Sequence, residues 1–102
     1  MRIQLLSHPG CPNASATREQ LLRALGLAGL AAEIEEIDTM SEATPEQLRG
    51  WGSPTVLIDG EDLVGESPSG RASCRLYRGG DGESSGAPTV SLLVTVLRHC
   101  AG

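Results

Sequence analysis

The stretch HPGCPNAS, residues 8–15, places a cysteine between an apolar segment and a segment with helical spacing. Pro12 suits the first position of a helix, because its missing N–H would have no partner there in any case. Cys11 would then lie at a helix N-terminus, where free backbone N–H groups and the helix dipole stabilise an anion. A thiolate held there can attack a disulfide or bind a soft metal ion such as Hg, Cu(I) or Zn. The alternative is an inert, half-buried cysteine at the start of a helix.

A second cysteine, Cys74, lies in the stretch RASCRLYR. Three arginines surround it in an otherwise acidic protein: Arg71, Arg75 and Arg78. If the stretch is helical, their spacing places them on one face, where they could favour the thiolate or hold an anionic group such as a glutathione carboxylate. If the loop brings Cys74 over the first helix start, it could be a resolving thiol or the second ligand of a soft cation. The alternative is a solvated, charged loop with one small buried residue.

Other polar residues carry weaker signals. His8 lies three residues before Cys11 and could take the thiol proton or bind a metal ion, although it is also typical of a turn. His99 and Cys100 fall near the end of the chain, where helices fray and catalytic groups are rare. Carboxylates on predicted strand edges and turns indicate a solvated acidic face: Glu33, Glu35, Glu36, Asp38, Asp59, Glu61 and Asp62.

The composition indicates one domain with an aliphatic core. The chain has 102 residues, no Phe, one Trp and one Tyr, so Leu, Val, Ile and Ala must fill the core. The formal net charge of −5 is unfavourable for nucleic-acid binding, which requires clustered positive charge. We therefore expect no nucleic-acid partner.

The sequence also bears on the compartment. No apolar stretch approaches the length that spans a bilayer, and MRIQLLSHPG is too short and too soon interrupted for a signal peptide. We therefore expect no membrane partner and a cytoplasmic location. Thiols are normally reduced there, and three cysteines are an odd number, so they do not indicate a disulfide framework. No cofactor is expected, and no phosphate-binding glycine loop is present.

Hydrophobic spacing and turn residues divide the chain into elements. They predict a strand over 2–7, a helix from Pro12 to a stop at Gly26, a strand over 31–39, a short helix over 44–49 with a capping box on Thr44, a hairpin over 53–65, a long loop over 65–87 and a closing helix over 88–100. A strand–helix–strand start requires a crossover, so the first two strands should be parallel. The expected fold is α/β, with a mixed four-stranded sheet and helices on both faces.

This order of elements resembles the thioredoxin-like superfamily over nearly the whole chain. The motifs that carry the resemblance are GCP (10–12), between the first strand and helix, and GSPT (52–55), at the start of the third strand. The superfamily places a cis-proline there, next to its active cysteine, which implies a cis Ser53–Pro54 bond that exposes the backbone of Ser53 to an extended substrate. More narrowly, GCPN, GSPTVLIDG and SCRLY are similar to short bacterial thioredoxin-like proteins labelled alkylmercury-lyase-like.

The chain departs from these families at one position. Thioredoxin-type enzymes use Cys-x-x-Cys, but the residue three after Cys11 is Ala14, which leaves a monothiol pattern as in some glutaredoxins. Organomercurial lyases use two distant cysteines and an acid shortly after the first. If that acid belongs three residues after the first cysteine, this chain has Ala14 in its place. Glu19 is the nearest acid after Cys11, but it lies more than one helical turn beyond Ala14.

The resemblance implies a thiol-redox protein with Cys11 and Cys74 as catalytic residues. Pro12, Ser53, Pro54 and Arg75 would bind a small thiol or a protein disulfide as substrate. A second hypothesis is a protein that binds a soft metal ion or an organomercurial through the two thiols, although no further metal ligand is evident. A third is a catalytically silent module that keeps the fold for partner binding.

Overall fold

The computed structural model describes residues 1–65, 75–78 and 84–101. Its elements are β1 (Ile3–Ser7), α1 (Pro12–Ala28), β2 (Ile34–Asp38), a 3₁₀ turn (Glu46–Leu48), β3 (Thr55–Ile58), β4 (Glu61–Asp62), β5 (Tyr77–Arg78), β6 (Ser84–Ser85) and α2 (Val90–Ala101). None of the helices in the described residues has the length and apolar character needed to span a bilayer.

The four main strands form one mixed sheet in the order β2-β1-β3-β4. β1 and β2 are parallel, with Ile3 opposite Ile34, because α1 carries the chain back to the same end of the sheet. β3 pairs with both β1 and β4 in antiparallel fashion. The α/β class, the mixed four-stranded sheet and the parallel first pair are therefore confirmed.

The first helix begins as predicted but ends later. Pro12 occupies its first turn, and Cys11 is the N-cap with φ −66° and ψ 115°. The helix continues past Gly26 and stops at Gly29, whose φ of 70° is left-handed. The N–H groups of Gly29 and Leu30 then bond to the carbonyls of Gly26 and Leu25 at 3.3 and 3.0 Å. Gly29 is thus the glycine that ends the helix, because only this position needs a left-handed backbone.

Both α-helices of the described chain pack on one face of the sheet, so the prediction of helices on both faces is wrong. The main core joins β1 and β3 to α1 and α2 through Ile3, Leu5, Val56, Ile58, Leu21, Ala24, Leu25, Leu93 and Leu97. The opposite face carries Leu6 and Leu57, which are covered by Trp51. Leu48 of the 3₁₀ turn packs beside them. A turn and one indole therefore cover the face where a helix was expected.

The predicted short helix that starts at Thr44 is only a 3₁₀ turn, and Thr44 does not cap it. The N-cap of the turn is Pro45, with no side-chain cap hydrogen bond, and the Thr44 hydroxyl donates to the carbonyl of Asp38 at 2.5 Å. Arg49 Nε donates to the Thr44 carbonyl at 2.7 Å. These contacts tie the segment to the end of β2 instead of starting a helix.

The last helix starts two residues later than predicted, at Val90. Thr89 Oγ1 accepts from Leu92 N at 3.1 Å, as an N-cap residue does. Within the stretch predicted as a long loop, β5 and β6 pair in antiparallel fashion, with Tyr77 opposite Ser85. The described part of that stretch is therefore partly extended.

Two adjacent leucines test the orientation of α1. Leu21 is fully buried and Leu22 is 50% exposed. We expect Leu21→Ala to lower the free energy of unfolding by about 2–5 kcal/mol, because it leaves a cavity in the core. Leu22→Ala should change it by less than about 0.5 kcal/mol. Urea denaturation checks both, and equal losses would contradict the orientation.

Candidate functional site

The turn that connects β1 to α1 fixes the position of Cys11. Cys11 N donates to the His8 carbonyl at 3.2 Å across Pro9 and Gly10. Gly10 has φ 77°, and a proline followed by a glycine with positive φ is the pattern of a type II turn. The turn rotates the chain so that Cys11 becomes the first residue of the helix start.

Cys11 is the N-cap of α1 and is half-buried. Its carbonyl accepts from Ala14 N at 3.3 Å, while its thiol makes no capping hydrogen bond among the described residues. Pro12, beside it, is exposed. The structure therefore places the sulfur at the positive end of the 17-residue helix α1, where an anion is stabilised by the dipole and the free N–H groups.

The same turn reaches the segment before β3. His8 N donates to Ser53 Oγ at 3.3 Å, and Ser53 is 1% exposed. The Ser53–Pro54 bond is cis, which is the isomer that the resemblance implied. The structure thus connects the turn that ends at Cys11 to Ser53, the residue before Pro54, through the backbone of His8.

The backbone of Ser53 is not open, in contrast to the expectation. Its carbonyl accepts from Arg75 N at 2.8 Å. The carbonyl of Pro54 accepts from the Tyr77 hydroxyl at 2.6 Å, and Tyr77 is 3% exposed. The segment Arg75–Tyr77 therefore lies along the residues that precede β3.

Arg75 was predicted to hold a substrate anion, but its guanidinium binds an internal carboxylate. Nη1 and Nη2 donate to the two oxygens of Asp62 at 2.5 and 2.8 Å. Nη1 also lies 3.0 Å from Thr55 Oγ1, and the guanidinium stacks 4.8 Å from the ring centre of Tyr77. The side chains of Arg75 and Asp62 are 8% and 1% exposed. An anionic substrate would have to compete with this two-point ion pair.

Asp62 also corrects the prediction of a solvated acidic face. It lies opposite Leu57 in the pairing of β3 with β4, and this position turns its carboxylate inward. By contrast, Glu35 and Glu36 are exposed and form surface ion pairs with Arg2 and Arg18 at 3.4 and 3.6 Å. The prediction of a solvated acidic face is confirmed for the six other carboxylates, which are all exposed: Glu33, Glu35, Glu36, Asp38, Asp59 and Glu61.

Cys74 and Arg71 lie outside the described residues, and Arg78 contributes the end of β5. The residue that follows Cys74 in the chain is the one bonded to Ser53. A role for Cys74 beside Cys11 therefore stays a prediction.

A second segment bounds the start of α1. A Cβ added to Gly86 would lie 2.1 Å from Nδ2 of Asn13, which is two residues after Cys11. A larger residue at position 86 would require the side chain of Asn13 to move. The chain just before α2 therefore covers Asn13 directly.

A shallow crevice of about 270 Å³ opens at the carboxyl ends of β1 and β2. It is lined by Ser7, His8, Pro9, Glu36, Ile37 and Asp38. His8 Nδ1 lies 3.2 Å from the Pro9 carbonyl. Asp38 Oδ1 accepts from Met40 N at 2.8 Å. No group of three metal-ligating side chains occurs in the described ranges.

Comparisons with protein-family models, with curated proteins and with solved structures find no match to this chain. The arguments for a function therefore come from the geometry of Cys11 and Ser53 and from the segment Arg75–Tyr77, which bonds to Ser53.

Sequence reasoning missed Asp62, Tyr77 and Gly86 as residues that shape the site. One signal was available, because the arginine in RLY (75–77) requires a buried acid if it is itself buried. Gly86 carried no signal, since its role depends on Asn13, 73 positions away in a chain of 102 residues.

Two glycines test the turn that holds Cys11. Gly10→Ala should lower the free energy of unfolding by about 1–3 kcal/mol, because Ala at positive φ is strained. Gly26 lies inside α1 with no atom near an added Cβ, so Gly26→Ala should raise it by about 0.5–1 kcal/mol. Denaturation curves give both values, and a change of the same sign in both variants would contradict the turn geometry.

Two acids test the internal ion pair. Asp62→Ala should lower the free energy of unfolding by about 3–5 kcal/mol, because it leaves a buried guanidinium without its counter-charge. Glu35→Ala removes an ion pair whose side chains are 66% and 51% exposed, and should cost less than about 1 kcal/mol. Chemical denaturation of both variants, with Asp62→Asn as a milder replacement, measures the difference. Similar losses at the two positions would show that the Asp62 pair is not buried in solution.

Proposed function

We propose that this chain is a thiol-redox protein of thioredoxin-like fold in which Cys11 is the nucleophile. The observation that carries the proposal is the position of Cys11 as N-cap of α1, held by a turn that bonds directly to Ser53 through His8. A reactive thiol requires partial exposure and an electropositive surrounding, and a helix N-terminus supplies the second. Cys11 is half-buried and so has both.

The topology supports the fold part of the proposal. The nucleophile follows β1, the parallel β2 lies beside it, and Pro54 precedes β3, in a sheet of order β2-β1-β3-β4. These are the relations that the resemblance implied for a thioredoxin-like chain. The departure is the 3₁₀ turn Glu46–Leu48, which stands where that arrangement would have a second helix.

The reaction is thiol–disulfide exchange. Cys11 Sγ attacks one sulfur of a substrate disulfide; a new S–S bond forms to Cys11, the original S–S bond breaks, and the departing thiolate takes the electron pair and then a proton from water. Ala14 cannot supply the second thiol. The mixed disulfide is therefore resolved either by Cys74, which would form a Cys11–Cys74 disulfide, or by a low-molecular-weight thiol. A reducing compartment such as the cytoplasm would return Cys11 to its thiol form.

Cys100 is a matched control for Cys11. It is exposed in the last turn of α2, where the helix dipole disfavours an anion, whereas Cys11 lies at the favourable end of α1. Each effect amounts to about 0.3–1 kcal/mol, and the two add, so Cys11 should be alkylated by iodoacetamide roughly three- to thirtyfold faster than Cys100 at pH 7. Mass spectrometry of the two labelled peptides measures the ratio.

Turnover separates the candidate functions. Exchange of a mixed glutathione disulfide should disappear in Cys11→Ser and persist in Cys100→Ser. Retention of turnover in Cys11→Ser would disprove the proposed nucleophile. Soft-metal binding would be assigned instead if the chain binds one Hg(II) and shows no disulfide turnover. This binding should be lost in both Cys11→Ser and Cys74→Ser. Equal alkylation of Cys11 and Cys100 without either activity would leave a binding module.

A further inference from the structure

We propose that the Cys11 site accepts disulfides of small molecules and excludes disulfides carried by extended polypeptides, because a segment of the chain itself occupies the place where an extended chain would pair. The proposal rests on the proposed function and names the substrate class of that site. It is carried by contacts of Ser53, Pro54, Asp62, Arg75 and Tyr77.

The first argument is the occupancy of the backbone beside the site. An extended peptide binds by adding its backbone to an exposed row of N–H and C=O groups. Beside Cys11 that row would begin at Ser53, but the Ser53 carbonyl accepts from Arg75 N at 2.8 Å. The next carbonyl, that of Pro54, accepts from the Tyr77 hydroxyl at 2.6 Å. An incoming strand would have to displace both contacts.

The second argument is the anchoring of this segment. Arg75 is held by two hydrogen bonds to Asp62 and one to Thr55, and its guanidinium stacks on Tyr77. Both members of the ion pair are almost fully buried, at 8% and 1% exposure. Separating a buried ion pair is strongly unfavourable. The segment is therefore a fixed wall of the site and not a flap that a peptide pushes aside.

The third argument is the space that remains. On another side of the helix start, Gly86 lies directly against Asn13. His8 and Pro9, in the turn that ends at Cys11, line the crevice of about 270 Å³ beside Ile37. This crevice lies on the side of β2 and is not lined by Cys11 or Ser53. The restriction on an extended chain therefore comes from the segment Arg75–Tyr77, which bonds to Ser53 and Pro54.

The chemistry is unchanged by this restriction. Cys11 Sγ bonds to one sulfur of the small disulfide, the original S–S bond breaks, and the other sulfur leaves as a thiolate that is protonated by water. A low-molecular-weight thiol then attacks the mixed disulfide, which restores Cys11 and forms a new small disulfide. In the net exchange the attacking thiol replaces the departing thiol in the disulfide, so one S–S bond is broken, one is formed, and no further oxidant or reductant is consumed.

Two probes with the same glutathione moiety test the proposal. One is the mixed disulfide of glutathione and 2-mercaptoethanol; the other carries glutathione on the cysteine of an unstructured peptide of about ten residues, long enough to add as a strand. The rate of mixed-disulfide formation at Cys11 is measured for each probe in a single turnover of the Cys100→Ser protein. The rate with the small probe is divided by the rate with the peptide probe. This ratio is then normalised by the same ratio measured for free cysteine. We expect a normalised ratio of about ten or more, because the wall excludes the strand.

Variants locate the cause of the exclusion. Arg75→Ala should bring the normalised ratio toward one, while Arg2→Ala, which removes an exposed ion pair with Glu35, should leave it unchanged. Because Arg75→Ala can reduce folding, hydrogen exchange of the Arg75 amide in the otherwise unchanged protein gives a second readout. The protection of the Arg75 amide should stay the same when the peptide is present in large molar excess.

The outcomes are distinct. A normalised ratio near one, or loss of Arg75 protection with the peptide, overturns the substrate class. The proposed function fails separately, if the absolute rate at Cys11 with the small probe is no higher than that of free cysteine. The ratio can still be measured in that case, since an unactivated thiol also forms the adduct.

Discussion

The ion pair between Arg75 and Asp62 holds together parts of the chain that no regular element joins. It connects the short strand β4 to a segment that returns across the start of β3 and bonds to the carbonyl of Ser53. A buried guanidinium requires a counter-charge and several acceptors, and this one has Asp62, Thr55 and the ring of Tyr77. Because the pair is bidentate, it fixes the orientation of Arg75 as well as its position.

The candidate site is a consequence of that constraint and of one turn. The turn from His8 to Cys11 presents the sulfur at the start of α1, and the His8 N–H ties it to Ser53. The position of Cys11 therefore depends on local backbone geometry, whereas the contacts of Ser53 depend on a segment distant in sequence. The segment Arg75–Tyr77 bonds to the carbonyls of Ser53 and Pro54 without taking part in the turn.

Much of the fold was predictable because the signals are local. The β1 strand, the start of α1 at Pro12 and the hairpin at Asp59–Gly60 follow from turn residues and apolar spacing. The errors arise where the chain offers two alternatives within a few residues. Gly26 resembles a helix stop, but the left-handed backbone falls at Gly29. Thr44 resembles a helix cap, but its hydroxyl donates to the carbonyl of Asp38 at the end of β2. Residue spacing alone does not choose between such close alternatives.

By itself, the sequence determined that Cys11 lies at a helix start, because HPGCP specifies a turn followed by a helix within a few residues. Only the tertiary structure decided what surrounds that thiol. Whether Asp62 faces water or Arg75, and whether Ser53 is open or paired, depends on how a segment more than ten residues away folds back. Burial and charge pairing are properties of such long-range contacts, so they followed from packing and not from the order of residues near Cys11.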